Sequence, residues 1–403
     1  MDRLVSLLSQ IAVDLLVDPA TTRVRQGQHP NVHPDAVRAH PKFAEFMELL
    51  SNEPSFSSIF PDDDEVHGIE RPYRPRNVAP QLLNAVLWNA KLYDWSDVTS
   101  LERELECAFE TFRKLATTGR LVGTTITGIS GTLPPDTKIE TKWGVLKDAR
   151  SCHEVLKRGL IMVGEHTVEG WCVLESKTKI YWEVKPGEHV RQDQLQGIND
   201  TGARQVALAI MLTKGPQNYR PAIPWLSTRI NPLIGGVPGG GWRSRVIDGP
   251  QITRTELPIL ERWLAALASH EFPKVSIDRV ITMINRNAEH VDAFIDAVII
   301  WENLFSARQT QEVSFRVSMN MACVLSDDSR ERVTLQKEIK KLYDLRSKVV
   351  HGAAYLDDIG GREVRMRAQE ITITAMQRLL SAHPALVGAQ SDQFIALVLG
   401  LPS

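Results

Sequence analysis

Apolar residues recur at helical spacing toward both ends of the chain and alternate with polar ones in the middle. Near the start, Leu4, Leu8, Ile11 and Leu15 share one helical face. PKFAEFMELL and APQLLNAVLWNAKLY keep that period, separated by the Pro- and Asp-rich PSFSSIFPDDDEVHGIERPYRPR, which reads as turns. After Arg120 the period shortens to two. TTITGIS, TKIETKWGVL, GLIMVGEH, GWCVLES and TKIYWEVKPG are rich in β-branched and aromatic residues between Gly, Pro and Asp, which predicts strands. RQVALAIMLTK fits a buried strand and a short helix equally well.

Beyond Thr255 the helical period returns in ELPILERWLAALAS, SIDRVITMINRNAEH, VDAFIDAVIIWENLF, EVSFRVSMNMACVL, RERVTLQKEIKKLYDLRSKVVH, REVRMRAQEITITAMQRLL and SDQFIALVLG, the pattern of a helix bundle. INPLIGGVPGGGWRSRVIDGP, with six glycines, is the expected main boundary. The fold class expected is α+β. A mainly helical region covers 1–119, a strand-rich α+β region 120–250, and an all-α bundle 251–403.

Composition narrows the function classes. With 403 residues, 43% hydrophobic and 24% charged, the chain has room for two or three globular cores. A net charge of −2 argues against coating nucleic acid through bulk charge, so any such contact has to be local. Cys107, Cys152, Cys172 and Cys323 are scattered without a C-x-x-C pair, as expected of reduced thiols in a cytoplasmic protein. No apolar run reaches the length of a bilayer span, so no membrane partner is expected.

Two charges interrupt apolar stripes. Leu335, Ile339, Leu342, position 346 and Val349 form one helical face, and position 346 is arginine. On the WENLF helix Val291, Ile295, Val298, position 302 and Phe305 repeat the spacing, with Glu302 in the same place. A guanidinium on a packing face requires a carboxylate, a bound anion or an interface that supplies one. One reading pairs Glu302 with Arg346 structurally; the other leaves Arg346 for a ligand. His351 precedes Gly352, a common helix stop, and lies about 140° around an ideal helix from Arg346. Convergence of the two on one phosphate requires a loosened last turn or a second protomer.

KKLYDLRSKVVHG resembles the signature helix of the HEPN family, an arginine followed after four to six residues by a histidine; here four intervene, Ser347 to Val350. AVIIWENLFSA with Glu302, and EVSFRVSMNMACVLSDDSRER, extend the resemblance to the Apea-like variant over residues 255–385. The resemblance implies a homodimeric bundle and a metal-independent endoribonuclease of toxin, antiphage or abortive-infection systems, with RNA as partner and no cofactor or metal. It implies Arg346 and His351 as catalytic residues, with Glu302 and Ser347 in support; Ser347 stands where strongly active members have Asn, Asp or His. The attacking 2′-OH would leave a 2′,3′-cyclic phosphate and a 5′-OH. Lys340, Lys341 and Lys348, with Arg362, Arg365 and Arg367, are read either as contacts to an RNA backbone or as a solvated helix face. The first 250 residues are expected to sense or gate. The alternative is a non-catalytic dimerisation module.

A second candidate chemistry is a Mg-dependent nuclease built from Glu169, Glu183, Lys185 and Gln194, with the paired carboxylates holding the metal and Lys185 assisting a water, from the E-x-K spacing. His29, His33 and His40 are read as a polar loop, because Pro30 and Pro34 interrupt a ligand-bearing helix. Asp62 to Glu65 is read as a solvated turn. The glycine stretch lacks the Lys-Ser/Thr of a phosphate loop.

Overall fold

The computed structural model describes residues 2–17, 22–23, 31–54, 79–80, 82–83, 86, 98–118, 120–149, 171–181, 192–215, 225–229, 249–286, 289–306, 312–389 and 391–400. They are mostly helical, with an antiparallel sheet in the N-terminal half, an arrangement compatible with the α+β class.

Helix α1 (Asp2–Val17) buries Leu4, Leu8, Ile11 and Leu15, the expected face. It packs against α3 (Phe43–Ser51) and α4 (Val98–Thr118). Phe46 and Phe109 meet with ring centroids 6.4 Å apart. Ala79, Leu82, Leu83 and Val86 are buried at i, i+3, i+4, i+7 in the same cluster. Between these lie a two-residue ladder, β1 (Thr22–Arg23) with β2 (Asn31–Val32), and the short α2 (Pro34–Ala39). This cluster is separate from the core of the rest of the chain.

The sheet is built from β3 (Arg120–Ser130), the hairpin β4 (Lys138–Thr141) and β5 (Gly144–Asp148), β6 (Trp171–Tyr181) and β7 (Trp225–Arg229), in the order β4-β5-β6-β3-β7. Every pairing is antiparallel, and β3 matches β6 along its whole length from Arg120↔Tyr181 to Ser130↔Trp171. GWCVLES and the start of TKIYWEVKPG therefore belong to one strand. The polar Ser176–Lys177–Thr178 stretch reads as punctuation in isolation, but Thr125, Thr124 and Gly123 face it in register.

RQVALAIMLTK is helical, the end of α5 (Gln192–Lys214). Every residue from Val206 to Leu212 is buried, so no polar face marks a helical period. One side of α5 packs on β3 and β6, and the other meets α6 (Leu257–Ser269) and α7 (Lys274–Asn285). At Gly202 an added Cβ would lie 2.8 Å from that of Trp143, so a residue without a side chain lets α5 approach the hairpin. One hydrophobic cluster consequently runs from Ile129 in the sheet to Phe394 near the end of the bundle. Lys142 to Glu271 at 2.6 Å, Lys214 to Glu256 at 2.7 Å and Gln377 to the Leu212 carbonyl at 2.8 Å fasten sheet, α5 and bundle together. The glycine-rich stretch expected as a boundary lies outside the described residues, except its end, where the Pro250 carbonyl accepts from the Thr132 N–H at 3.0 Å.

The bundle continues with α8 (His290–Phe305), α9 (Val313–Leu325), α10 (Ser329–Val350), α11 (Asp358–Ser381) and α12 (Ser391–Leu399), matching the expected helical segments. Helix α8 is its centre, buried on most sides. His290 lies beside Gly361, and Trp301 Nε1 donates to Thr372 Oγ1 at 2.8 Å, so α8 and α11 run parallel. Asp296 on α8 is 1% exposed and lies between two arginines, Arg279 Nη1 from the middle of α7 at 2.6 Å and Arg286 Nη1 from its C-cap at 3.1 Å.

Candidate functional site

Helix α10 carries the candidate residues Arg346, Ser347 and His351. Asp328 caps it, accepting from the N–H groups of Arg330 and Glu331 at 2.9 and 2.8 Å. Ile339 and Leu342 are buried on its inner face, and Arg346, the next residue of that stripe, is half-buried. The helix closes at His351. Gly352, at φ +71°, donates to the Val349 carbonyl at 3.1 Å, and Ala353 donates to that of Lys348 at 2.7 Å. These are the two bonds of a Schellman turn, which needs a residue tolerant of positive φ after the cap. His351 therefore sits exposed at the C-cap, its backbone N–H on the Ser347 carbonyl at 3.1 Å. Ser347 is half-buried.

Glu302 and Arg346 do not form the ion pair that the stripe anomaly suggested. Glu302, in the last turn of α8, accepts instead from the Tyr343 hydroxyl. Tyr343 follows Ile339 by four and precedes Arg346 by three, so it shares their face of α10. Burial, with the Glu302 carboxylate against it, pushes the Tyr343 hydroxyl well above its ordinary pKa, so it stays protonated and donates. Arg346 contributes a weaker opposing field at the same hydroxyl. Its own Nε is buried without a hydrogen-bond acceptor. Sequence reasoning missed Tyr343 because a tyrosine beside an apolar stripe reads as packing.

The lysines lie elsewhere on α10. Lys340, Lys341 and Lys348 are exposed and form no ion pair with the described residues; with Lys337, Gln336, Asp344 and Leu345 they line an open groove of about 370 Å³. On an ideal helix Lys337, Lys341 and Lys348 point about 140–180° from Arg346, on the side of His351. Arg365 and Arg367 have surroundings of their own. Arg365 is buried, and Arg367 grips Glu338 of α10 with Nε at 2.7 Å and Nη2 at 2.9 Å while also reaching Glu370. Arg362 is exposed and lines a separate pocket with His290, Ile359, Glu363 and Met366.

The Arg367 fork holds Glu338 below the usual carboxylate range. Such a group contributes stability above its unfolded pKa of about 4.3 and loses the contribution as pH falls through the lower folded value. Arg367 and Glu338 are 41% and 33% exposed, so after solvent screening Arg367→Ala is expected to cost about 1 kcal/mol at pH 7. Urea unfolding of both proteins at pH 7 and pH 3 checks it: the gap should close in acid, and a constant gap would assign the loss to packing.

The other candidates have structural roles or fall outside the described residues. His33 caps α2, its Nδ1 accepting from the Asp35 N–H at 3.3 Å, and His40 Nε2 lies 3.2 Å from Asp14. His29, Asp62 to Glu65, Glu169, Glu183 and Lys185 lie outside the described residues, and Gln194 is described only as part of the first turn of α5. Among the described residues no group of three or more His, Cys, Asp or Glu side chains is placed to hold a metal ion. No described helix is long and apolar enough to cross a membrane. Compared with known proteins, the chain matches no family model, no curated protein and no solved structure.

Proposed function

We propose that the chain is a metal-independent endoribonuclease of the HEPN type, acting as a homodimer. The observation that carries this reading is Arg346: a guanidinium on a packing face, its Nε buried without an acceptor, while the nearby carboxylate is occupied by Tyr343. A cation so placed has capacity for an anion. His351 stands free and exposed about 7.5 Å further along the helix, on the lysine side. A second copy, presenting its own α10 end, brings an Arg346 and a His351 to one phosphate.

In this reading His351 takes the proton of a ribose 2′-OH, the O2′–P bond forms as the P–O5′ bond breaks, and a proton is returned to the departing 5′ oxygen. Arg346 binds the non-bridging oxygens and stabilises their growing charge. The test is incubation with single-stranded and structured RNAs in EDTA, followed by analysis of product ends. Cyclic phosphate with 5′-OH ends is the expected result; cleavage only with Mg²⁺ would instead favour Glu183 and Lys185. The described residues among the first 118 form a hydrophobic cluster separate from that of the sheet and bundle, which is compatible with a gating role for this region in antiphage or toxin defence.

Lys340, Lys341 and Lys348 are assigned to the RNA backbone. Replacing all three by alanine is expected to reduce the slope of log affinity against log salt for a single-stranded RNA by about 2, at roughly 0.7 per phosphate contact. Titrations at several salt concentrations measure it, and an unchanged slope would return these lysines to a solvated face.

A further inference from the structure

We infer that Tyr343 is a positioning residue which, by occupying Glu302, keeps Arg346 free to bind a phosphate; this rests on the role given to Arg346 above. Glu302 lies in the last turn of α8, where the exposed carbonyls disfavour a carboxylate, so it requires a donor. Arg346 is a charged alternative whose field reaches the same Tyr343 hydroxyl, one turn along α10 from the residue that holds Glu302. A partly desolvated carboxylate and guanidinium within reach pair with each other, and a paired arginine has lost much of its attraction for a ligand anion. A tyrosine hydroxyl avoids that outcome because it is a neutral donor. It satisfies Glu302 Oε1 and leaves the charge of Arg346 uncompensated by direct contact. Lysine or arginine at 343 would neutralise Glu302 but crowd Arg346 with like charge, and phenylalanine would free Glu302.

The experiment measures anisotropy of a fluorescent RNA oligonucleotide, 2′-O-methylated throughout so that it has no attacking hydroxyl, binding full-length protein in EDTA. The intact protein is compared with Tyr343→Phe, Tyr343→Phe/Glu302→Gln and Arg346→Ala, each first shown to unfold near the intact protein's temperature. Tyr343→Phe is expected to weaken binding about tenfold, the scale of one charge-assisted hydrogen bond. Adding Glu302→Gln should restore it to near the intact value, because the freed side chain no longer carries a charge to place on Arg346. Rescue of this kind is not expected of a residue that only packs. If Tyr343→Phe binds as the intact protein does, or its loss persists in the double variant, the positioning role is overturned while the ribonuclease reading stands. If Arg346→Ala binds as tightly as the intact protein, phosphate recognition by Arg346 falls, and the role of Tyr343 with it.

Discussion

With His351 replaced by alanine, RNA that the intact protein cuts in EDTA is expected to remain whole, the rate falling about 10²- to 10⁴-fold, the range for losing a general acid–base group. The fold should not register the change. His351 is exposed, and what closes α10 is backbone: the bonds from Gly352 and Ala353 and the positive φ of Gly352, none of which involves the imidazole. Unfolding temperature should therefore match the intact protein while cleavage disappears. The angular separation of His351 from Arg346 adds a stricter form of the test. If each site takes its arginine from one copy and its histidine from the other, mixing inactive Arg346→Ala and His351→Ala proteins gives heterodimers with one complete site, and activity returns. A site housed within one copy gives no recovery. Cleavage that survives in His351→Ala would place the chemistry elsewhere, and an intact protein that cuts nothing under any condition would favour a non-catalytic dimer module.

The bundle was legible because its helices announce themselves locally. Asp328 begins α10, Gly352 ends it, and Ile339 and Leu342 mark its inner face. What was not legible depended on partners distant in sequence. Whether RQVALAIMLTK was strand or helix could not be read because Val206 to Leu212 are buried on every side, and only the neighbouring sheet and bundle decide it. The continuity of β6 through Ser176–Lys177–Thr178 follows from an equally long β3 beside it. Arg346 and Glu302 stood out as charges on apolar stripes, yet the stripe does not say which donor reaches Glu302, and Tyr343 is that donor. Arg367 resembled its basic neighbours until Glu338, from another helix, met it. Charged residues reveal by pattern that they need a partner, and the fold decides which.

Replacing both Arg279 and Arg286 by alanine is expected to destabilise the protein by about 3–5 kcal/mol, the cost of stranding a buried charge. Asp296 is 1% exposed at the centre of α8, whereas the arginines are 42% and 35% exposed and reach it from the solvent side. The asymmetry sets the order of effects. Losing one arginine leaves Asp296 its other partner, so each single variant should cost clearly less than half the double, a non-additivity characteristic of groups sharing one partner. Replacing Asp296 itself leaves two arginines that water can solvate, so Asp296→Leu in the double-alanine background should recover most of the loss, as expected when a buried ionic cluster gives way to apolar packing of similar volume. Urea midpoints for the intact protein and the four variants measure this. Equal costs for Arg279→Ala and the double variant would show that Arg286, at 3.1 Å, contributes nothing to holding Asp296. Failure of Asp296→Leu to rescue would mean that the arginines stabilise the α7–α8 junction through their stems rather than through the charge they oppose.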